Sequence, residues 1–353
     1  MSLNATSAPE DAPAPARGGR RRFGWGAVIV ALVVGMAAAI GGVAGWQALS
    51  HPATSSPSKY TVIDDAGRTV TVSSIPSRIV VLEPSAMDIV YRLGLRSKVV
   101  GVDCGAADIG GIAADYAPWQ IQNWSLTGLA CITWLPTLNL QAIISLDPGL
   151  VIGAAGISVA DLNTLQSSDG IPALYLNPSS LLGISHDVDL VAGLTGTTTV
   201  AASIDQQLGN ELGTVETTVG NASLVTHIPS VLLTYYDDPT GYYTFGPGTF
   251  GNDLIVDAGG ANIAGNDTFA NQGEISGSYV LAADPAIIVV GTGFGLSVQN
   301  YSQGPDWSSL GAVQTGHVVG IDASLISEPD PTMVLVGLPE VFSLLHPGTP
   351  LAP

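Results

Sequence analysis

From Tyr60 onward the chain alternates short apolar runs with longer amphipathic segments, the strand and helix alternation that builds parallel sheets. Tyr60 to Val72 holds two β-branched runs that turn at Asp65-Ala66-Gly67, which predicts a hairpin. Arg78-Ile79-Val80-Val81-Leu82 is a continuous apolar run bounded by Pro76 and Pro84, as a strand covered on both faces requires. A helix follows, with Ser85 as its N-cap, Ile89, Val90 and Leu93 on one face, and Gly94 as its stop. Val99 to Asp103 is the next strand. In such βαβ units ligands collect at the carboxyl ends of the strands, where Glu83 and Asp103 stand.

The alternation continues with a short helix from Asn139 to Leu146, a strand from Leu150 to Ile152, a helix from Asp161 to Ser168 and a strand from Ala173 to Leu176. Ile184 to Leu194 is helical and ends at Gly196. Val200, Ile204, Leu208, Leu212, Val215 and Val219 then form a one-sided stripe over about five helical turns. Ser230 to Tyr235 opens a second set of elements. It includes a helix from Asp253 to Ala258 stopped by Gly259-Gly260, strands at Ile287–Val290 and Val318–Ile321, and a closing helix from Thr332 to Leu345. No short-period repeat is present, which excludes a solenoid.

The N-terminus places this domain. Residues 1–22 read as a disordered cytoplasmic tail, Ala, Pro and Ser rich at first and then carrying Arg17, Arg20, Arg21 and Arg22. The run from Phe23 to Leu49 is uncharged and long enough to cross a bilayer core of about 30 Å. The basic flank belongs on the cytoplasmic side, so a single-pass membrane helix would leave everything after His51 outside the cell. An anchor is the expected form. A cleaved export signal is the competing reading, since Arg20-Arg21-Arg22-Phe23 fits a twin-arginine pattern while Ala48-Leu49-Ser50 is a poor cleavage site. No Cys lies near this segment, which excludes a lipoprotein. Residues 50–59, rich in Ser and Pro, form a linker.

Cys104 and Cys131 are the only cysteines. In an oxidising compartment a disulfide is the default, closing about 27 residues for on the order of 3 kcal/mol. Two buried free thiols are the alternative, and a metal site on two cysteines alone is weaker than either. With 353 residues, 46% of them hydrophobic, the chain can bury a large core, and its length suits two lobes better than one. The formal net charge is −19, and no Lys or Arg follows Lys98. Nucleic acid and anionic membrane surfaces are therefore poor partners for the exported part. So few bases also limit positive self-repulsion once carboxylates protonate, which points to an acidic habitat. A halophile would be acidic too, with far more charged residues than 11%.

Four segments carry a resemblance. They are the unit from Tyr60 to Asp103; Asn139-Leu140-Gln141-Ala142-Ile143-Ile144 leading into Asp147-Pro148-Gly149-Leu150-Val151-Ile152; Gly246-Pro247-Gly248-Thr249-Phe250-Gly251-Asn252-Asp253-Leu254-Ile255 with Ala258-Gly259-Gly260; and Leu281 to Val290 with the closing Leu344-Leu345-His346-Pro347. In this order they resemble the substrate-binding proteins of ABC importers for iron-siderophore complexes, haem and cobalamin. The resemblance implies an α/β fold of two Rossmann-like lobes with mainly parallel sheets. The first would span 60–183, connecting helices 184–220 would include a single long rigid one, and the second lobe would span 221–347 before a tail at 348–353. The ligand cleft would lie between the lobes.

On that fold the strand-end loops supply the candidate ligand contacts: Glu83, Ser85, Trp119, Trp134, Tyr236, Tyr243, Phe245, Glu328 and Asp330. Aromatics crowded on loops favour a flat, partly apolar ligand such as a macrocycle or catecholate. Packing beneath the cleft is the plainer explanation for any one of them. Relatives that bind anionic chelates or haem place arginines in the loop before the last helix, where this chain has Glu328 and Asp330. A carboxylate-bearing ligand would meet like charge there, so a neutral or cationic one, a corrinoid or an iron chelate, is expected.

The resemblance further implies permease and ATPase partners, docked through one acidic residue per lobe. Gln141 and Val256 occupy those positions, with Asp257 adjacent, so the docking pair is altered. No resident cofactor or metal is implied, and the five histidines lack metal-ligand spacing. No reaction is expected, because a nucleophile, base and orienting group are not recognisable. A membrane-anchored surface sensor or adhesion protein reusing the fold is the rival reading.

Overall fold

The computed structural model describes residues 60–104, 125–220, 224, 226–238, 241–266, 272–293, 296–303 and 307–352. The expected membrane segment Phe23–Leu49 and Trp119 lie outside these residues. Among the described residues no helix is long and apolar enough to cross a membrane.

Strands β1 (Tyr60–Ile63) and β2 (Thr69–Val72) pair antiparallel, Tyr60 opposite Val72. Asp64 organises their turn, accepting from the backbone N–H of Ala66 at 3.1 Å and Arg68 at 2.8 Å. Its carboxylate also pairs with the Arg68 guanidinium, which donates onward to the Ala173 carbonyl at 2.9 Å and ties the hairpin to the first lobe.

That lobe is built on β3 (Ile79–Leu82), β4 (Val99–Asp103), β5 (Ala130–Ile132), β6 (Leu150–Gly153) and β7 (Ala173–Tyr175). All pairings are parallel and the order is β5-β4-β3-β6-β7. Helices α1 (Pro84–Arg92), α2 (Leu140–Ser145), α3 (Val159–Ser168) and α4 (Leu181–Thr195) flank it. Every residue of β3 is fully buried, as a central parallel strand covered on both faces must be. The chain places β4 on one side of β3 and β6 on the other, so its order reverses at β3 and opens a crevice at that strand's carboxyl end.

Helix α5 (Thr198–Val219) leads to the second lobe. Its buried line is Ala201, Ile204, Leu208, Val215 and Thr218, while Val200, expected in the stripe, is 41% exposed. The next elements are β8 (Ser230–Thr234), β9 (Tyr236–Asp238), β10 (Gly241–Phe245), α6 (Phe250–Asp257), β11 (Ala261–Asn262), β12 (Gln272–Ile275) and α7 (Gly277–Ala283). After them come β13 (Ile287–Thr292), α8 (Val298–Ser302), α9 (Gly311–Thr315), β14 (Val318–Asp322) and α10 (Leu338–Leu345). The parallel sheet runs β11-β8-β13-β14, and a second, antiparallel sheet runs β12-β10-β9.

Three expectations change. Ser85 is not an N-cap but lies inside α1, 4% exposed; Glu83 occupies the cap position and Pro84 the first turn, where its missing N–H costs nothing. α4 and α6 begin three residues before their apolar periodicity does, because Ser180 and Thr249 accept from the N–H of Gly183 and Asn252. The closing helix starts as a wide π-helical turn, Met333–Gly337, before α10. Gly337 lies so close to the Leu325 carbonyl that a Cβ would come within 2.2 Å of its oxygen. Gly337→Ala should therefore lose about 2 kcal/mol of stability in urea unfolding, and a variant as stable as the parent would show that this backbone contact is not tight.

Candidate functional site

Glu83 ends β3 at the crevice and has φ 112, a conformation rare for a residue with a side chain. Such strain persists only where surrounding contacts enforce it. Here the Glu83 N–H donates to Asp103 Oδ1 at 2.9 Å, at the end of β4, and its carbonyl accepts from Met87 at 3.2 Å as α1 begins. The side chain thus stands at a helix N-terminus, a favourable place for a carboxylate. Gly156, in the loop after β6, has φ 101, and a Cβ there would lie 3.3 Å from Glu83 Oε1 and 3.8 Å from the Trp134 ring. The loops after β3, β5 and β6 therefore converge on one carboxylate and one indole. Cys104, directly after Asp103, is disulfide-bonded to Cys131 in β5.

In the second lobe β9 and β10 fold back across the end of β8. Thr234 Oγ1 donates to the Tyr243 carbonyl at 3.0 Å and Thr244 Oγ1 to the Leu233 carbonyl at 2.7 Å. Phe245 is fully buried and stacks on Tyr235 with ring centroids 4.9 Å apart, so it supports the tyrosine from beneath. Burial raises the Tyr235 hydroxyl, and Glu328 and Tyr243 add to the shift. Desolvation pushes Glu328 up to about 8, with Asp103 of the first lobe adding to it. Asp330 is fully buried: Oδ1 accepts from the Met333 N–H at 2.8 Å, while Oδ2 has no hydrogen-bond partner among the described residues. Its carboxyl is pushed well above the usual range by burial, then by Asp88.

Glu83, Trp134, Glu328 and Asp330 thus belong to segments that follow strands of the two parallel sheets, while Tyr243 lies within β10 of the antiparallel sheet. Ser85 is buried within α1, Tyr236 is placed only by its backbone in β9, and Trp119 falls outside the described residues. Gln141, Val256 and Asp257 are exposed on α2 and α6; desolvation, Asp253 and Glu216 push Asp257 up to about 6. Among the described residues no group of three or more His, Cys, Asp or Glu is placed to hold a metal ion.

Sequence reasoning missed an interaction between the lobes. Asp88 Oδ2, on α1, accepts from Arg92 Nε at 2.7 Å and from both the N–H and the hydroxyl of Thr332 at 3.0 Å. Arg92 Nη2 also donates to Thr332 Oγ1 at 2.7 Å. The signal available was an Asp and an Arg one helical turn apart on the helix that follows Glu83. Their partner 240 residues away left no local trace.

A family model described as periplasmic binding protein matches residues 135–325, more than half of the chain. The Cobalamin-binding protein of Halobacterium salinarum is 29% identical over 315 residues, covering 87% of this chain and 80% of that protein. An uncharacterized ABC transporter substrate-binding lipoprotein, YvrC of Bacillus subtilis, is 24% identical over 334 residues, 94% of this chain and 99% of its own. The solved periplasmic vitamin B12 binding protein BtuF of Vibrio cholerae has a TM-score of 0.58 at 21% identity, over 76% of this chain and 96% of its own. CeuE of Helicobacter pylori superimposes with a TM-score of 0.67 at 15% identity, over 83% and 90%. Two parallel sheets joined through a long helix, strand-end loops facing each other, and the match over 135–325 agree: this chain belongs to the periplasmic binding protein family.

Proposed function

We propose that the protein is an extracytoplasmic solute-binding protein that captures a neutral or cationic metal chelate or a cobalamin-like corrinoid for an ABC importer, without catalysing a reaction. The observation that carries this reading is the lack of a basic side chain in the strand-end loops, since no Lys or Arg follows Lys98. Glu83, Asp103 and Glu328 come from both lobes, and Arg92, on the helix that begins after Glu83, is engaged by Asp88 and Thr332. An anionic ligand would find no guanidinium fork, whereas Trp134, Tyr235 and Tyr243 offer stacking faces and the carboxyls accept hydrogen bonds. Similarity to a protein named for cobalamin binding supports the corrinoid alternative. The first lobe is taken as 60–183 and the second as 221–347, with 184–220 connecting them. A membrane anchor at Phe23–Leu49 would keep the domain near its permease and raise its local concentration.

The test is titration calorimetry near neutral pH against cyanocobalamin, a cationic hydroxamate iron chelate, haem and a ferric tricarboxylate chelate. Tight binding of the corrinoid or the cationic chelate, weakened by Trp134→Ala and Glu83→Gln, is expected. Tight binding of only the anionic ligands would overturn the proposal, because it would require positive charge that the strand-end loops do not supply.

A second reading, a surface sensor or adhesion protein, is favoured by Gln141 and Val256, which are exposed and uncharged where the family's docking acids would stand. Stimulation of a permease and ATPase reconstituted from the same source would decide for transport.

A further inference from the structure

We propose that Asp88 and Arg92, on the helix that begins at Glu83, are positioning residues for the second lobe's Glu328: by gripping Thr332 they fix the 327–332 segment against the first lobe and set the width of the cleft. The inference rests on the cleft being the ligand site, as proposed above.

The contact is built as a closed ring. Three donors converge on Asp88 Oδ2, and the Thr332 hydroxyl both donates to that carboxylate and accepts from Arg92 Nη2. Asp88 is 2% exposed and Thr332 5%, so water does not compete freely for these bonds. Charge-assisted bonds of this kind are short and directional, and all four here lie between 2.7 and 3.0 Å.

The chain between Thr332 and Glu328 transmits position well. Pro329 and Pro331 each fix one backbone torsion, and residues 329–332 are all buried. At the other end the segment is braced by its own lobe: the N–H groups of Ile326 and Ser327 donate to the Ala323 carbonyl at 3.1 and 2.9 Å, and Gly337 closes against the Leu325 carbonyl. A six-residue loop is thus held by the second lobe at its start and by the first lobe at its end. Glu328 stands near the start, within reach of the Asp103 carboxylate of the first lobe. The same α1 that Glu83 precedes as its cap residue therefore holds, through Asp88 and Arg92, the loop bearing Glu328. A movement of either lobe relative to the other must first break the Asp88, Arg92 and Thr332 ring.

The experiment uses the full-length protein with spin labels at Ser168→Cys and Ala282→Cys, exposed positions on α3 and α7, and measures their separation by double electron–electron resonance. One narrow distance is expected in the parent. Thr332→Val and Arg92→Met should broaden or shift it, and Thr332→Ser, which keeps the hydroxyl, should restore it. In parallel, cyanocobalamin is titrated into the same set. Thr332→Val should weaken binding about tenfold in the parent but less than about twofold in a Glu328→Ala background, because neighbouring residues acting through one another are not additive.

Unchanged label distances in folded Thr332→Val, or equal losses of affinity in both backgrounds, would overturn the inference. A parent that ignores cyanocobalamin would refute the corrinoid reading instead, while the label distances would still decide whether the ring sets the cleft.

Discussion

Unfolding free energy should fall as pH rises from 4 to 8, opposite to the behaviour of a protein held by carboxylate ion pairs. Asp187 is 1% exposed on α4, with Oδ1 lacking a hydrogen-bond partner among the described residues. Burial first, and the neighbouring Asp65 second, push its carboxyl from the ordinary 3.8 up to about 9. Glu328 moves from 4.5 to about 8, and Asp330 moves upward as well. A carboxyl whose folded value is raised keeps its proton in the native chain over a window in which the unfolded chain has lost it. Native protein then binds more protons than unfolded protein, so stability is full below about pH 4 and drains away as pH climbs toward the folded values. Each such group costs up to about 1.4 kcal/mol per pH unit inside its window. Solvent relaxation reduces this, and a net loss on the order of 5 kcal/mol between pH 4 and pH 8 is expected. Urea midpoints measured at pH 4, 6 and 8 provide the check. Asp187→Asn should flatten the profile, since an amide keeps the shape and cannot ionise. A stability that rises with pH would refute the assignment.

The second large effect is expected from the Cys104–Cys131 bond, which joins the end of β4 to β5 across 27 residues of sequence. By loop-closure entropy such a link is worth about 3 to 4 kcal/mol, and for a chain of this size each kcal/mol moves the midpoint by about 3 °C. The double variant Cys104→Ser, Cys131→Ser should therefore melt about 10 °C lower than the parent. Because Cys104 adjoins Asp103, whose carboxylate holds the Glu83 N–H, the loss should also weaken ligand capture. Identical melting of parent and variant would show that the bond does not restrain the unfolded chain.

The elements legible in sequence were those whose signal is local. Ile79 to Leu82 read as a buried strand because four consecutive apolar residues between prolines have no other stable use, and Glu83 and Asp103 followed as strand ends. Asn139 capped α2 as its residue type predicts, accepting from the Ala142 N–H. β5 was not visible, because three residues, Ala130-Cys131-Ile132, are too few to show a period. The antiparallel sheet of β9, β10 and β12 was missed because Tyr242, Tyr243 and Phe245 read as pocket aromatics. Their alternation is that of a strand, and Phe245 is consumed by packing against Tyr235 and Phe250. Asp88 and Thr332 depend on a meeting of two lobes that no window of sequence contains. The carboxylates of the cleft were legible as residues, whereas their mutual approach was a property of the fold.

Every lysine and arginine of the chain precedes β5, so the whole of the second lobe is built without one. A protease that reads a basic side chain finds no cleavage point from β5 to the C-terminus, whether that stretch is folded or transiently open. Persistence against such enzymes is therefore written into composition and does not depend on how often the lobe unfolds. Reagents that couple to side-chain amines are likewise confined to positions before β5, leaving the second lobe chemically untouched.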